Sequence, residues 1–148
     1  MEYGVPRVRP AVPADRAAAE RLLRAHQLPV AGVAEYFTDF LVAELQGEMV
    51  GLIGVERYGG AGLLRSVVTS EAARGTGVGR ALVEALEARC RAQGVRELVL
   101  LTETAAEWFP RFGYVRVERS DVPAAVQQSV EFTSACPASA VAMRKVLA

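Results

Sequence analysis

Thiols, imidazole and net charge are what this chain has least of, and each shortage removes a class of function. Cysteine occurs twice, at Cys90 and Cys136, and histidine once, at His26. Two thiols so far apart build neither a disulfide framework nor a zinc motif, so reduced cysteines and no metal site are expected. The 17 basic and 17 acidic side chains cancel, leaving no global field for nucleic acid or an anionic membrane. No apolar run is long enough to cross a bilayer, and the first residues lack the charged-then-apolar pattern of an export signal. A cytoplasmic protein is expected. Internal repeats and low-complexity linkers are also missing. The 148 residues suffice for a core without staples, so one domain over residues 1–148 is expected. Any anion binding must then come from local geometry.

That geometry is offered by the run Arg74-Gly75-Thr76-Gly77-Val78-Gly79-Arg80. Three glycines at alternate positions let the backbone turn tightly and expose its N–H groups without Cβ interference. The run lies between an apolar strand-like segment, 63–69, and a long amphipathic one, 78–93. If a helix starts there, its free N–H groups and the positive end of its dipole form an anion site. Two arginines flank it. No Lys-Ser or Lys-Thr pair follows the last glycine, which excludes a Walker A loop. The third glycine comes one residue too early for the dinucleotide fingerprint G-x-G-x-x-G.

The rest of the chain alternates between strand and helix patterns. Arg7-Val8-Arg9 reads as a short edge strand ended by Pro10. Asp15 is placed to cap a helix through about Ala25, with Ala18, Leu22 and Ala25 on one face, and Leu28-Pro29 breaks it. Residues 33–37 form a short second helix. Segments 40–45 and 49–57 read as strands joined by the two-residue turn Gln46-Gly47. A turn over 58–62 leads to a third antiparallel strand, 63–69.

In the helix at 78–93, Val78, Ala81, Leu82, Ala85 and Leu86 share a face, with Glu87 and Arg91 as a surface i, i+4 pair and Gly94 just past its end. The apolar run 98–102 predicts a buried central strand. Residues 105–112 read as a short helix, with Pro110 as a kink and Gly113 as its stop. Strands follow at 114–119 and 140–146, and a helix then a loop at 123–137. This order implies a mixed α/β sheet with helices on both faces.

The register R-G-x-G-x-G after a strand and before a helix resembles the pyrophosphate loop of the GNAT acetyltransferases, and the order of elements resembles the GNAT fold nearly end to end. The resemblance implies a mostly antiparallel sheet in which two parallel central strands splay apart. It also implies acetyl-CoA as co-substrate. Its pantetheine arm would bond to backbone groups of Val67, Val68 and Thr69, with the diphosphate on Gly75, Thr76, Gly77, Val78, Gly79 and Arg80 beside Arg74. The segments Leu63-Leu64-Arg65-Ser66, Trp108-Phe109-Pro110-Arg111-Phe112-Gly113-Tyr114 and Val130-Glu131-Phe132, with the tail Cys136-Pro137-Ala138-Ser139-Ala140, resemble one GNAT subgroup in particular. Its members are named as arsenic-resistance acetyltransferases, and relatives acetylate amino-acid-like phosphinic or arsinic toxins.

What the resemblance implies chemically is direct acyl transfer: a neutral amine attacks the thioester and the coenzyme thiolate leaves. Backbone N–H groups near Val67 and Val68 would stabilise the oxyanion, a role usually worth most in acyl transfer. Many members supply a tyrosine as proton donor where this chain has Phe109, and an asparagine where it has Thr102. A thiolate is already a tolerable leaving group near neutral pH.

Glu56 alternates with Leu52 and Gly54 along its strand, and a carboxylate in such a line is paired or functional. Arg65 is its expected diagonal neighbour. Two readings stay open: a Glu56–Arg65 ion pair, or a catalytic Glu56 with Arg65 gripping a carboxylate, phosphinate or arsinate of the acceptor. Tyr36, with Phe37, lies where the family walls its acceptor site; core packing is the alternative. Glu103 is a solvated strand-end carboxylate or faces the acceptor. His26 complements the end of the first helix, and Cys136 is a buried thiol or lines the acceptor site. The expected function is N-acetylation of a small amine, with a homodimer allowed and no nucleic-acid or membrane partner. Protein or peptide acetylation, or a non-catalytic module that binds CoA or senses arsenicals, are the alternatives.

Overall fold

The computed structural model describes residues 6–135 and 139–147. Strands β1 (Arg7–Pro10), β2 (Leu41–Leu45), β3 (Glu48–Tyr58), β4 (Ala61–Thr69), β5 (Glu97–Thr102), β6 (Val115–Val117) and β7 (Val141–Val146) form one sheet in the order β1-β2-β3-β4-β5-β7-β6. The α-helices are α1 (Arg16–Ala25), α2 (Val33–Tyr36) and α3 (Val78–Ala92). The pairs β1–β2, β2–β3, β5–β7 and β6–β7 are antiparallel, and β4–β5 is parallel. This is a mixed α/β fold with a mostly antiparallel sheet and one parallel strand pair, as expected. The chain clusters into two compact units, one from residues up to Val55 with Ser66–Arg89, the other from Glu56–Arg65 with Cys90 onward. Strands β3 and β4 contribute to both.

The first unit is organised around Ala19, Leu23, Val33, Phe37, Phe40, Leu52 and Val68. The predicted turn at Gln46-Gly47 is present, with left-handed φ of 54° and 81°. Phe40 lies flat where Gly54 has no side chain; a Cβ there would meet the ring at 2.3 Å. The buried stripe of α1 is Ala19 and Leu23, with Ala18 and Leu22 half-buried and Ala25 exposed. It is thus rotated by one residue from the face read in the sequence. That helix ends at Ala25, and Gln27 turns the chain at φ 60° before Leu28-Pro29 is reached.

Asp15 occupies the cap position of α1, yet its carboxylate does not cap the helix. It takes both terminal nitrogens of Arg9, at 2.8 and 2.9 Å, and the Val12 N–H at 2.8 Å. Arg9 also reaches Glu44 across the β1–β2 ladder. The Arg9 hydrogen bonds, followed by the Val12 N–H, hold the Asp15 carboxyl below the usual range. A depressed folded pKa gives stability that is present above the ordinary carboxylate value and lost as pH falls through the folded one. Asp15→Asn is therefore expected to lower the melting temperature at pH 7 by about 2–4 °C. That difference should shrink progressively below about pH 4, as followed by thermal unfolding across pH.

The second unit packs Ala61, Leu63, Val99, Val122, Val126 and Ala142 together, with Tyr58, Leu101, Val117 and Phe132 against them. Several readings are corrected here. The turn after β3 is only Gly59-Gly60, so β4 begins at Ala61 rather than 63. Residues 105–112 form no α-helix. A turn precedes a 3-10 helix at Phe109–Phe112, and Pro110 sits in its first turn, where a missing N–H costs nothing. Residues 123–135 hold a 3-10 turn at Val126–Gln128 and a single π-helical turn at Glu131–Ala135 instead of an α-helix. Glu87 is buried, not a surface group. Strands β6 and β7 are shorter than read, and Cys136 lies outside the described residues.

Candidate functional site

In the first unit the glycine-rich run joins β4 to α3. The loop is pinned by its own backbone: Ala73 N–H bonds Ser70 O at 3.0 Å, and Thr76 N–H bonds Ala73 O at 3.2 Å. Gly75 and Gly77 take φ of 79° and 84°, left-handed angles that an L side chain rarely adopts. A Cβ at either would meet no protein atom within 4 Å, so both faces are open. Gly79 is the second residue of α3 and needs no such angle. The first intrahelical bond of α3 runs from Ala81 N–H to Gly77 O at 3.0 Å. The N–H groups of Val78, Gly79 and Arg80 thus precede the helical ladder and point along its positive end.

The helix start is held in place by Gly51 on β3, whose missing Cβ would meet Val78 at 2.8 Å and Leu82 at 2.9 Å. Arg74 is exposed, and the Arg80 guanidinium, 59% exposed, lies 3.7 Å from Glu84.

Upstream of the loop, β4 pairs with β5 only over Ala61, Gly62 and Leu63, opposite Glu97, Leu98 and Val99. Residues 64–69 continue as strand. Val68 turns its side chain into the first core and is buried, while Val67 and Thr69 are half-buried. Ser66 sits in this strand at φ 62°. For a non-glycine residue that conformation costs about 1–3 kcal/mol and persists only where the surroundings impose it. Nothing in the serine side chain announces it, so sequence reading passed over it.

The second unit contains a buried ionic cluster. Arg65 donates from Nη1 to Glu56 Oε2 at 2.7 Å, and its Nη2 lies 3.4 Å from Glu131 Oε2. The Tyr58 hydroxyl donates to the other Glu56 oxygen at 2.5 Å. The side chains of Arg65, Glu56 and Glu131 are 0, 1 and 5% exposed. The structure thus brings Glu56 and Arg65 together and adds Glu131 and Tyr58, which the sequence gave no reason to place there. A proton acceptor must reach the proton it takes, and both Glu56 oxygens are engaged.

Tyr36 is half-buried against the first core. Phe109 is buried, its ring edge-on to Trp108 at 5.0 Å and to Tyr114 at 5.6 Å. His26 caps α1, with Nδ1 3.1 Å from Leu22 O, and Glu103 is exposed. A cleft of about 710 Å³ lined by Arg116, Arg119, Asp121 and Val141, among others, includes none of the predicted site residues. Among the described residues no cluster of His, Cys, Asp or Glu could hold a metal ion, and no helix is long and apolar enough to cross a membrane.

Residues 37–116, more than half of the chain and the stretch that carries the loop, match the model of the acetyltransferase (GNAT) domain. The chain belongs to the GNAT family. An uncharacterized N-acetyltransferase of Chlorobaculum tepidum is 34% identical over 95 residues, 64% of this chain and 61% of that protein. An amino-acid acetyltransferase of Ralstonia nicotianae is 32% identical over 87 residues, 57% of this GNAT chain and 19% of that protein. The chain therefore spans less than two thirds of both relatives.

Among solved structures, the N-acetylglutamate synthase of Neisseria gonorrhoeae, complexed with coenzyme A and N-acetyl-glutamate, superposes with TM-score 0.84 at 17% identity. That match covers all of this chain and 36% of the other. A Mycobacterium tuberculosis protein in complex with CoA gives TM-score 0.81 at 24% identity, covering 97% of this chain and 100% of that one.

Proposed function

We propose that this chain is an acetyl-CoA-dependent N-acetyltransferase acting on the amino group of a small anionic, amino-acid-like molecule. The observation that carries the reading is the glycine loop at the start of α3. Its N–H groups precede the first intrahelical bond, and Gly75 and Gly77 present open faces. That donor set, with exposed Arg74 and Arg80 beside it, fits a diphosphate. Gly75, Thr76, Gly77, Val78, Gly79 and Arg80 would hold it, and the backbone of Val67, Val68 and Thr69 would hold the pantetheine arm. When bound, acetyl-CoA supplies a thioester whose C–S bond breaks as the C–N bond to the acceptor forms.

The Val68 N–H would face the developing negative charge, re-aimed by the left-handed turn at Ser66. Glu56 holds Arg65 in place, and Arg65 would take the acceptor's anionic group; Tyr36 would wall the acceptor. Phe109 offers no proton to the departing sulfur. The relatives' names support an amino-acid acceptor, and phosphinic or arsinic amino acids share that charge pattern. The test is CoA thiol release from acetyl-CoA across a panel of amino acids, their carboxamides, simple amines and peptides. Turnover with amino acids supports the reading, whereas peptides alone, or no acceptor at all, would overturn it.

A further inference from the structure

We propose that β6 is the seat of a homodimer, in which the strand pairs antiparallel with β6 of a second copy about a two-fold axis at Val117. Strand β6 ends the sheet, and among the described residues no strand pairs with its outer side. The hydrogen-bond pattern shows what that side offers. The Leu147 N–H bonds Arg96 O at 2.7 Å, so alternate residues of β7, Val141, Met143 and Lys145, turn their backbone groups toward β5. Arg144 and Ala142 then face β6 and bond Val115 and Val117, which lie opposite them. Arg116, opposite Met143, is left with its N–H and C=O on the open edge. Glu118 follows in the same phase, with extended backbone at φ −73° and ψ 144°. Both side chains are exposed and, among the described residues, neither has a hydrogen-bond or ion-pair partner. The cleft lined by Arg116, Val117 and Glu118 opens at the same place. The other end of the sheet is blunted: β1 carries Pro10, and its Arg9 is engaged by Asp15 and Glu44.

An open edge accepts many strands; the charges choose this one. In a symmetric pair, residue i faces residue j and j faces i, and outward backbone groups must meet outward backbone groups. With the axis at Val117, Arg116 lies opposite Glu118 of the second copy and exchanges both backbone hydrogen bonds with it, and symmetry repeats the pair. Glu118 O accepts the Asp121 N–H at 3.0 Å, which leaves its second lone pair for the ladder. Opposite charges directly across an antiparallel ladder attract, and the two valines pack at the axis. The neighbouring registers fail. One sets Arg116 against Arg116, like charge on like. The other draws Gly113, left-handed at φ 94°, into the ladder. A ladder this short makes a small interface, so association is expected to be reversible and concentration-dependent.

The experiment is sedimentation velocity on the full chain across about a hundredfold range of concentration, at low and at physiological salt. The unmutated protein should pass from monomer to dimer, with weaker association at the higher salt. Arg116→Glu and Glu118→Arg each put like charges across both pairs, and each alone should raise the dimer dissociation constant at least about tenfold. Mixed together they set opposite charges against each other at every pair, so the mixture should recover a heterodimer although neither variant pairs with itself. The double variant, with both charges exchanged, should also dimerise. Both positions are exposed, so circular dichroism should be unchanged. Glu118→Gln, which removes the attraction without adding repulsion, should weaken association by less and serves if a charge reversal does not fold. A monomer at every concentration overturns the proposal, as does a dimer indifferent to these substitutions. So does a pair of monomeric variants that stay monomeric when mixed.

Discussion

Gly77→Val is expected to abolish the rise in melting temperature that acetyl-CoA gives the unmutated protein. A ligand at about 100 times its dissociation constant stabilises a fold by ~2.7 kcal/mol, which for a chain of this size is a shift of about 5–10 °C. The glycine has φ 84°, and beyond its chain neighbours no described atom lies within 4 Å of the Cβ position, so a Cβ there has open space. The cost of valine comes instead from the left-handed angle, about 1–2 kcal/mol. Relaxing that angle moves the N–H groups of the first turn of α3, and the new side chain would fill the open face on which the diphosphate is proposed to sit. Gly94→Val is the matched control, because Gly94 has φ 83° with equal open space and follows the far end of α3. It should lose comparable stability and keep the response to ligand. Retention of the full ligand shift in Gly77→Val would remove the loop from the site.

Arg65→Ala is expected to be the most damaging single change, lowering the unfolding free energy by about 3–5 kcal/mol. The reason is desolvation: Glu56 and Glu131 would be left buried without their cation. Arg65→Lys should recover little, because one ammonium cannot span both carboxylates with the guanidinium's planar fork. Denaturant unfolding gives the stability loss, and a double-mutant cycle with Glu56→Gln should return a coupling of at least ~1 kcal/mol. Additive effects would show that the pair contributes nothing beyond its separate parts.

Much of the fold was legible because its signals are local. The hairpin at Gln46-Gly47, the alternation along β3, the apolar run of β5 and the amphipathic α3 each follow from a period or a turn residue within a few positions. The glycine loop belongs to the same class: alternate glycines next to a helix start are read from contiguous residues, and the structure places left-handed Gly75 and Gly77 directly before α3. Misreadings fell where local signals are weak or shared. The face of α1 was off by one residue because an alanine-rich helix offers several stripes of similar apolarity, and packing chose Ala19 and Leu23. Residues 105–112 and 123–135 carry helical composition but form only single turns.

By itself the sequence determined the order of the strands and of the first three α-helices, the family and the loop at Gly75 and Gly77, since each is written in contiguous residues. It also placed Glu56 and Arg65 as candidate partners, because neighbouring strands of one hairpin keep a computable register. Only the tertiary structure decided that Glu131, 66 positions beyond Arg65, closes the same ionic cluster, that Tyr58 fixes Glu56, and that Ser66 holds a left-handed angle within a strand. Those features depend on long-range packing that buries three charges together. Periodicity carries no record of which distant carboxylate must accompany a buried arginine.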